Sequence, residues 1–214
     1  MTWMQTASGR AFDLAAPRAE DVNFEIDVAE ALAREPRFGG HVRSGAYSVA
    51  QHCVLGADAI LATTGSLELA RAFLLHDAHE AYCKDIPSPL AAAFAGRVGA
   101  LVNAHFAEAW AERVFPRALR EMKAEIDGAI HAAAGATWPL APEIAEQVKA
   151  WDLGMLATER RQLLGPSPKP WHPSVEDVKP ARLRGRITVW PWPRAADEWR
   201  MRLYQLFPHL KPAA

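Results

Sequence analysis

Residues 76–87 read His-Asp-Ala-His-Glu-Ala-Tyr-Cys-Lys-Asp-Ile-Pro, so imidazole and carboxylate groups crowd into about three helical turns. The residues just before them, 70–75, are nearly all apolar, which indicates that the cluster follows a buried segment. Charged groups in such a setting are usually paired or bound to a metal, because burying them alone is costly. The stretch therefore predicts an interior chemical site around which the helices are arranged.

The composition of the chain bounds its class. It has 214 residues, of which 50% are hydrophobic, and this suffices for one large core. We predict a single domain over 1–214, with a core at about 20–165 and a C-terminal extension at 166–214. The formal net charge of -1 shows no basic excess, which argues against long nucleic acid as a partner.

Cysteine usage and the N-terminus bear on the compartment. Cys53 and Cys83 are too few for a disulfide framework. Residues 1–5 lack the charged and apolar regions of a secretion signal, and no apolar run in the sequence is long enough to span a bilayer. We expect a cytoplasmic protein with no membrane partner.

Caps and prolines predict a succession of helices. A third helix should begin after Ser66, carry the central cluster and end before Pro87. The Pro- and Trp-rich tail reads as irregular, with one short strand at Arg186 to Trp190. The fold class is all-α, a helical bundle with an irregular C-terminal wrap. The other predicted helices cover about 22–34, 49–64, 88 onward, 97–114, 117–134, 142–164 and 195–207.

Two polar side chains lie on otherwise apolar helical stripes. His52 faces inward from the second helix and Asp152 from a late one. Taken alone, His52 reads as a hydrogen-bonded core residue and Asp152 as a cap or the partner of a nearby arginine. If both meet His76 and Asp77, two imidazoles and two carboxylates form a set suited to a transition metal with positions open for water and substrate.

The order His52, then His76-Asp77, then a distant Asp152 resembles the motif of the HD-domain metal-dependent phosphohydrolases. The similarity extends to a compact branch that includes bacterial 5'-deoxynucleotidases and phage-type deoxynucleoside triphosphohydrolases. It covers roughly residues 20 to 165. The further matching positions are Arg37-Phe38 before the first histidine, Glu80, and Asp85 ahead of Pro87-Ser88-Pro89, with Phe38 where the bacterial deoxynucleotidases have Trp.

The resemblance implies a role for each matching residue. It implies one divalent ion, drawn from Co, Mn, Fe, Ni, Zn and Mg, and a homodimer or higher homo-oligomer. The implied metal ligands are His52, His76, Asp77 and Asp152. The implied catalytic residues are Glu80, Asp85 and Arg37, and the implied substrate contacts are Arg37 and Phe38. His41 and His79 are further candidate substrate contacts because they lie close to the site in the sequence.

Several of these residues have structural alternatives. Glu80 could simply pair with Lys84 four residues on, and Asp85 could serve as a helix-end residue before the proline. Arg37 could be an ordinary surface arginine and Phe38 a core residue.

The function implied by the resemblance is hydrolysis of a nucleotide, with a deoxynucleoside monophosphate as first substrate and a deoxynucleoside triphosphate as the alternative. An alternative of another class is a nucleotide-binding regulatory module without turnover, against which Glu80 and Asp85 argue, because a pure binder needs no proton-transfer groups. Oxygenase chemistry at a dinuclear iron site is a third alternative that needs extra ligands, with His79, His105 or His131 as candidates. The tail is also locally basic, which could attract nucleotide phosphates across a subunit interface, although a solvated loop is the favoured interpretation. Its basic residues are Lys169, Lys179, Arg182, Arg184 and Arg186.

Overall fold

The computed structural model describes the backbone of residues 1–106 and 111–212 and the side chains of 1–102 and 113–212. The fold is all-α, as predicted, and its described strands form one two-stranded antiparallel sheet. The strands are β1 (Trp3–Gln5) and β2 (Ala11–Asp13). The first helices are α1 (Ala29–Arg34), α2 (Val49–Thr64), α3 (Leu67–Leu75) and α4 (Glu80–Cys83). They are followed by α5 (Ser88–Phe106), α6 (Ala111–Ala133), α7 (Pro142–Leu163), α8 (Pro173–Glu176) and α9 (Trp192–Leu206).

The N-terminal arm lies on the core through its hairpin. Phe12 of β2 is fully buried, and its ring stacks on that of Tyr82 with centroids 3.6 Å apart. The turn between the strands is held by Asp27, whose carboxylate accepts hydrogen bonds from the backbone N–H of Ser8 at 2.7 Å and from its hydroxyl at 2.6 Å. The arm therefore covers α4 just behind the central cluster.

The second helix lies at the centre of the core and has the predicted bounds. Its N-cap is Ser48, whose hydroxyl accepts a hydrogen bond from the backbone N–H of Gln51 at 3.2 Å, and it ends at Gly65 in the left-handed conformation. It packs closely on α3 at Gly56, where a Cβ would lie 2.0 Å from a ring carbon of Phe73. Only glycine allows this approach, which brings the two histidine-bearing segments together.

The predicted third helix is interrupted at the central cluster, so the expectation of one continuous helix was wrong. After α3 ends at Leu75, the chain turns through tight i to i−3 hydrogen bonds, such as Ala78 N–H to Leu75 O at 2.9 Å and Glu80 N–H to Asp77 O at 3.0 Å. The short α4 follows, and Lys84 then adopts a positive φ of 70°. The turn contains no glycine or proline, so the local sequence carries no breaker signal.

The next helices differ from the prediction mainly at their boundaries. The predicted segment 97–114 covers the end of α5 and the start of α6, and its residues 107–110 lie outside the described ones. The predicted segment 117–134 lies almost entirely in α6, and α5 runs through Gly96 without a break. Pro116 lies inside α6 instead of separating two helices. The α7 helix begins at Pro142 as predicted, and α9 begins three residues before the predicted Ala195.

The C-terminal wrap is irregular, but the strand predicted at Arg186 to Trp190 is absent. The backbone of this segment bonds to side chains rather than to another strand. Gln162 of α7 accepts from the N–H of Ile187 at 2.7 Å. Gln51 of α2 donates to Thr188 O at 2.8 Å and accepts from Trp190 N–H at 2.9 Å. The segment is thereby attached to both α2 and α7.

Candidate metal centre

Four side chains from three segments converge between α2, α7 and the 76–79 turn. His52 comes from α2, His76 and Asp77 come from the turn, and Asp152 comes from α7. The two Nε2 atoms are 3.4 Å apart. The His52 Nε2 atom is 3.3 Å from Asp152 Oδ1 and 3.8 Å from Asp77 Oδ2, and the His76 Nε2 atom is 3.9 and 3.2 Å from the same oxygens.

These distances fit a shared cation. Two ligand atoms bonded to one ion at about 2.0–2.2 Å stand about 3–4 Å from each other. The Oδ1 atom of Asp152 is buried and accepts no well-formed hydrogen bond among the described residues, which leaves it available as a ligand. The cluster of His52, His76 and Asp152 could therefore hold a metal ion.

Hydrogen bonds to the other ring nitrogens fix both imidazoles. The Nδ1 of His52 lies 2.6 Å from Glu159 Oε1, and the Nδ1 of His76 lies 2.6 Å from Phe73 O. Both partners are acceptors, so each Nδ1 carries the proton and donates it. When both rings are neutral, as metal ligation requires, their Nε2 lone pairs face the centre.

Glu159 is a residue that sequence reasoning missed. It is fully buried and accepts hydrogen bonds from the Tyr47 hydroxyl at 2.8 Å and from Arg37 Nε at 3.2 Å, as well as from His52. Burial raises the pKa of Glu159, but Arg37 and His52 outweigh it and lower the value. Glu159 follows Asp152 by seven residues, two helical turns, so the helical spacing carried a signal that was available from the sequence.

Arg37 reaches into the centre from the loop before α2. Its Nη1 contacts Asp77 Oδ2 at 3.2 Å, and its Nη2 lies 3.7 Å from Asp152 Oδ1. Burial alone would lower the pKa of Arg37, but Glu159, Asp152 and Asp77 together raise it well above its usual value. Arg37 is thus not a surface arginine, and its predicted contact with a substrate phosphate stays a prediction.

The charges of the four central groups are interdependent. Burial opposes ionisation of each of them, yet Asp77 raises the pKa of His76 well above its usual value. His76 in turn holds the pKa of Asp77 well below the usual range, and His52 and His76 do the same for Asp152. Two anionic carboxylates therefore demand a positive charge at the centre, which a proton or a metal ion can supply.

Glu80 lies on the other side of Asp77 and is almost completely buried. Burial, reinforced by the charges of Asp77 and Asp85, raises the pKa of Glu80 to about 9. Its ion-pair partner is Lys123 of α6, at 3.4 Å from Oε1, and not Lys84. Its Oε2 atom is buried without a hydrogen bond among the described residues.

Asp85 lies near the same group and is half-buried. Its backbone N–H donates to Glu35 Oε1 at 3.3 Å, and Lys84 pairs with Glu35 Oε2 at 3.3 Å. Burial raises the pKa of Asp85, and the charge of Asp77 adds to this rise. Asp85 is therefore held at the edge of the centre by the loop after α4.

The candidate histidines outside the four ligands are placed differently. His79 is buried and points towards α6, with Nδ1 2.9 Å from Asp127 Oδ1 and Nε2 4.0 Å from Glu80 Oε1. His131 is also buried, with Nδ1 donating to Asp127 O at 2.9 Å. His41 lies exposed on the loop after Arg37, and the side chain of His105 lies outside the described ones.

Phe38 is half-buried and has a positive φ of 58°. It packs against a small apolar cluster that contains Val42, Tyr47 and Leu163. This packing agrees with the core alternative, and contact with a base or sugar stays a prediction.

Comparison with known proteins relates the chain to two bacterial proteins. No family model matches it. It is 36% identical over 163 residues to the uncharacterized protein YfdR of Escherichia coli K12, and the match covers 76% of this chain and 73% of YfdR. The chain belongs to the YfdR family. An uncharacterized protein of Rhodobacter capsulatus is 39% identical over 94 residues, which are 42% of this chain and 47% of that protein. The names of these relatives state no activity, so family membership alone assigns no function.

Proposed function

We propose that this member of the YfdR family is a metal-dependent phosphohydrolase of nucleotides, with a deoxynucleoside monophosphate as substrate. The observation that carries the proposal is the convergence of His52, His76, Asp77 and Asp152 within metal-binding distances of one another. The same four residues carry the sequence resemblance to HD-domain phosphohydrolases.

The exposure of the side chains supports a site that is open on one face. The side chains of His52 and Glu159 are fully buried, whereas 34% of Asp152 and 17% of Asp77 are exposed. A substrate phosphate can therefore reach the centre on the side where Asp77 and Asp152 are exposed. A divalent cation bound there would act as a Lewis acid on phosphoryl oxygens and lower the pKa of a coordinated water.

Arg37 and Lys123 supply fixed positive charge near the carboxylates. Arg37 contacts Asp77 directly, and the ammonium of Lys123 lies 3.4 Å from Glu80. In hydrolysis of a phosphate ester, negative charge spreads over the phosphoryl oxygens and the leaving oxygen, and preorganised cations stabilise it. Arg37 and Lys123 take this role in the proposal.

Glu80 and Asp85 handle protons in the proposal. With its pKa raised to about 9, Glu80 holds a proton at neutral pH in the metal-free protein and can donate it to the leaving oxygen. Asp85 is more exposed and lies at the edge of the centre, where a carboxylate can orient the attacking water.

A nucleotide hydrolysis screen with Co, Mn, Mg and Zn tests the proposal. We expect phosphate release from deoxynucleoside monophosphates that Asp77→Ala abolishes together with bound metal. The control Asp177→Ala removes an exposed aspartate of the extension and should leave both unchanged. Release of triphosphate from deoxynucleoside triphosphates would select the alternative substrate. Tight nucleotide binding without turnover, or metal-independent turnover in Asp77→Ala, would refute the hydrolase.

Two further points concern the oligomeric state and the possibility of a membrane-spanning helix. A homodimer or higher homo-oligomer remains part of the proposal. Among the described residues, no helix combines the length and the apolar character needed to cross a lipid bilayer.

A further inference from the structure

A cavity lies between α2 and the C-terminal wrap. Its volume is about 370 Å³, which is within the range of small-molecule sites. It shares no residue with the four candidate metal ligands. Its lining comes from one stripe of α2, from residues 182–190 of the wrap, and from Arg194 of α9.

The rim of this cavity is strongly cationic. Arg182, Arg184, Arg186 and Arg194 all line it, against one carboxylate, Asp58. That carboxylate is already paired, since Arg202 Nη2 lies 2.6 Å from Asp58 Oδ1. Arg194 is also paired, with Glu198 Oε1 at 3.6 Å. Arg182, Arg184 and Arg186 are exposed and, within the described part of the chain, form no ion pair. The cavity therefore carries an uncompensated positive charge that favours an anion.

The floor of the cavity is apolar and includes an aromatic ring. Leu55, Ala59 and Ala62 of α2 contribute aliphatic groups, and the half-buried Trp190 contributes its indole. Arg194 stacks over this indole at 4.9 Å from the ring centroid. An apolar floor with an aromatic wall suits a planar ring, and guanidinium groups suit phosphate oxygens through paired hydrogen bonds.

The walls of the cavity are held in place by specific bonds. Gln51 lines it and is hydrogen-bonded to the backbone at both Thr188 and Trp190. Gln162 holds the N–H of Ile187 on the side of α7. The arginine-bearing segment is thus attached to the helical core and is not a free tail.

We propose that this cavity is a second ligand site, which binds a small molecule that combines phosphate groups with a planar ring, as a nucleotide does. The phosphates lie against Arg184 and Arg186, and the ring lies on the apolar floor beside Trp190. This site is separate from the metal centre, and its occupation does not depend on hydrolysis there.

Calorimetric titration tests the site with the full chain and α,β-methylene adenosine diphosphate, whose bridging carbon resists hydrolysis. Pyrophosphate and adenosine serve as probes that lack the ring and the phosphates, respectively. The double variant Arg184→Ala, Arg186→Ala should weaken binding of the nucleotide analogue by about tenfold or more, since charge-assisted hydrogen bonds are lost. The matched control Arg97→Ala, Arg120→Ala removes the same charge from exposed positions on α5 and α6 and should bind as the wild type.

The Asp77→Ala variant separates this site from the metal centre. The proposal expects Asp77→Ala to retain the binding event that Arg184→Ala, Arg186→Ala loses, whatever binding of the analogue at the metal centre is lost together with metal and activity. Binding that is lost in Asp77→Ala and retained in Arg184→Ala, Arg186→Ala would overturn the proposal, because the nucleotide would then lie only at the metal centre. Equally tight binding of pyrophosphate, or no saturable binding of the analogue, would also overturn it. Circular dichroism of each variant shows whether it is folded.

Discussion

The two sides of the candidate metal centre differ in how their polar groups are satisfied. On the side of α2 and α7, the buried carboxylate of Glu159 has three hydrogen-bond donors, which are His52, Tyr47 and Arg37. On the side of the 76–85 segment, Glu80 has a strongly raised pKa and a buried oxygen that forms no hydrogen bond with any residue the structure describes. The side of α2 and α7, called the anchored side, fixes the orientation of His52 through Glu159. The side of the 76–85 segment, called the reactive side, contains Glu80, whose protonation can change.

The largest effect is expected from breaking the anchored side. Glu159→Ala leaves Arg37 and the His52 Nδ1–H without their buried carboxylate, and the loss of one partner of a buried charge pair costs about 3–5 kcal/mol. We expect that much loss in the free energy of unfolding by urea, and loss of bound metal. The control Glu143→Ala changes an exposed position at the start of the same helix. An unchanged urea midpoint for Glu159→Ala would contradict the anchoring role.

The contact between the two sides can be broken at Gly56. Gly56→Ala would place a Cβ 2.0 Å from the ring of Phe73, so α2 and α3 must separate. Overpacking of this kind costs about 1–3 kcal/mol and should lower the melting temperature and the metal affinity. The control Gly96→Ala on α5 meets open space and should stabilise the protein by about 0.5–1 kcal/mol. Equal effects of the two substitutions would show that the close approach does not matter.

Glu80, on the reactive side, should make the stability of the protein depend on pH. The pKa of Glu80 is raised from 4.5 to about 9 in the folded metal-free protein, so between these values the unfolded state has lost a proton that the folded state retains. The free energy of unfolding should therefore fall as pH rises through this window, by up to about 1.4 kcal/mol per pH unit from this group.

Glu80→Gln should remove that slope without removing bound metal. Urea titrations of both proteins in EDTA at pH 5 to 9 measure the slope, and metal analysis of the untreated proteins checks the second expectation. A slope that is the same in both proteins would remove Glu80 as its source.

The smallest effect is expected at Lys84, which borders the reactive side without belonging to it. Its partner is Glu35, and the side chain of Lys84 is 55% exposed. Exposed ion pairs contribute about 0–1 kcal/mol. Lys84→Ala should therefore leave the melting temperature and the pH slope nearly unchanged. A large change in either would restore the alternative pairing with Glu80.

Local signals in the sequence predicted much of the helical framework. Ser48 and Gly65 bound α2 through their own capping geometry, and Pro142 starts α7, so these limits follow from neighbouring residues alone. The inward stripes of these helices also predicted that His52 and Asp152 would face the core. Their convergence on His76 and Asp77 was expected because the order of the four residues resembles the HD-domain motif.

The errors concern partners that are distant in sequence. The turn after Leu75 contains no breaker residue, and its tight bonds depend on how α3 packs in the core. Gln51 lies three residues after the N-cap Ser48, where a capping box would use its side chain, but that side chain bonds to the C-terminal wrap. The 186–190 segment had the composition of a strand, yet its backbone is hydrogen-bonded to glutamine side chains and not to a neighbouring strand. Lys123 carried no local sign that it would meet Glu80.

The attachment of the wrap has a mechanical consequence. Ala181 N–H donates to Gly154 O at 2.9 Å, and Gln51 is hydrogen-bonded to the other end of the same segment. Residues 181–190 therefore bridge α2 and α7, the two helices that carry the candidate ligands His52 and Asp152. If α2 and α7 moved apart, the hydrogen bonds of residues 181–190 to one of these helices would have to break, in addition to the contacts between the helices. Proteolytic cleavage within residues 181–190 should therefore allow α2 and α7 to separate at the centre while both helices remain folded.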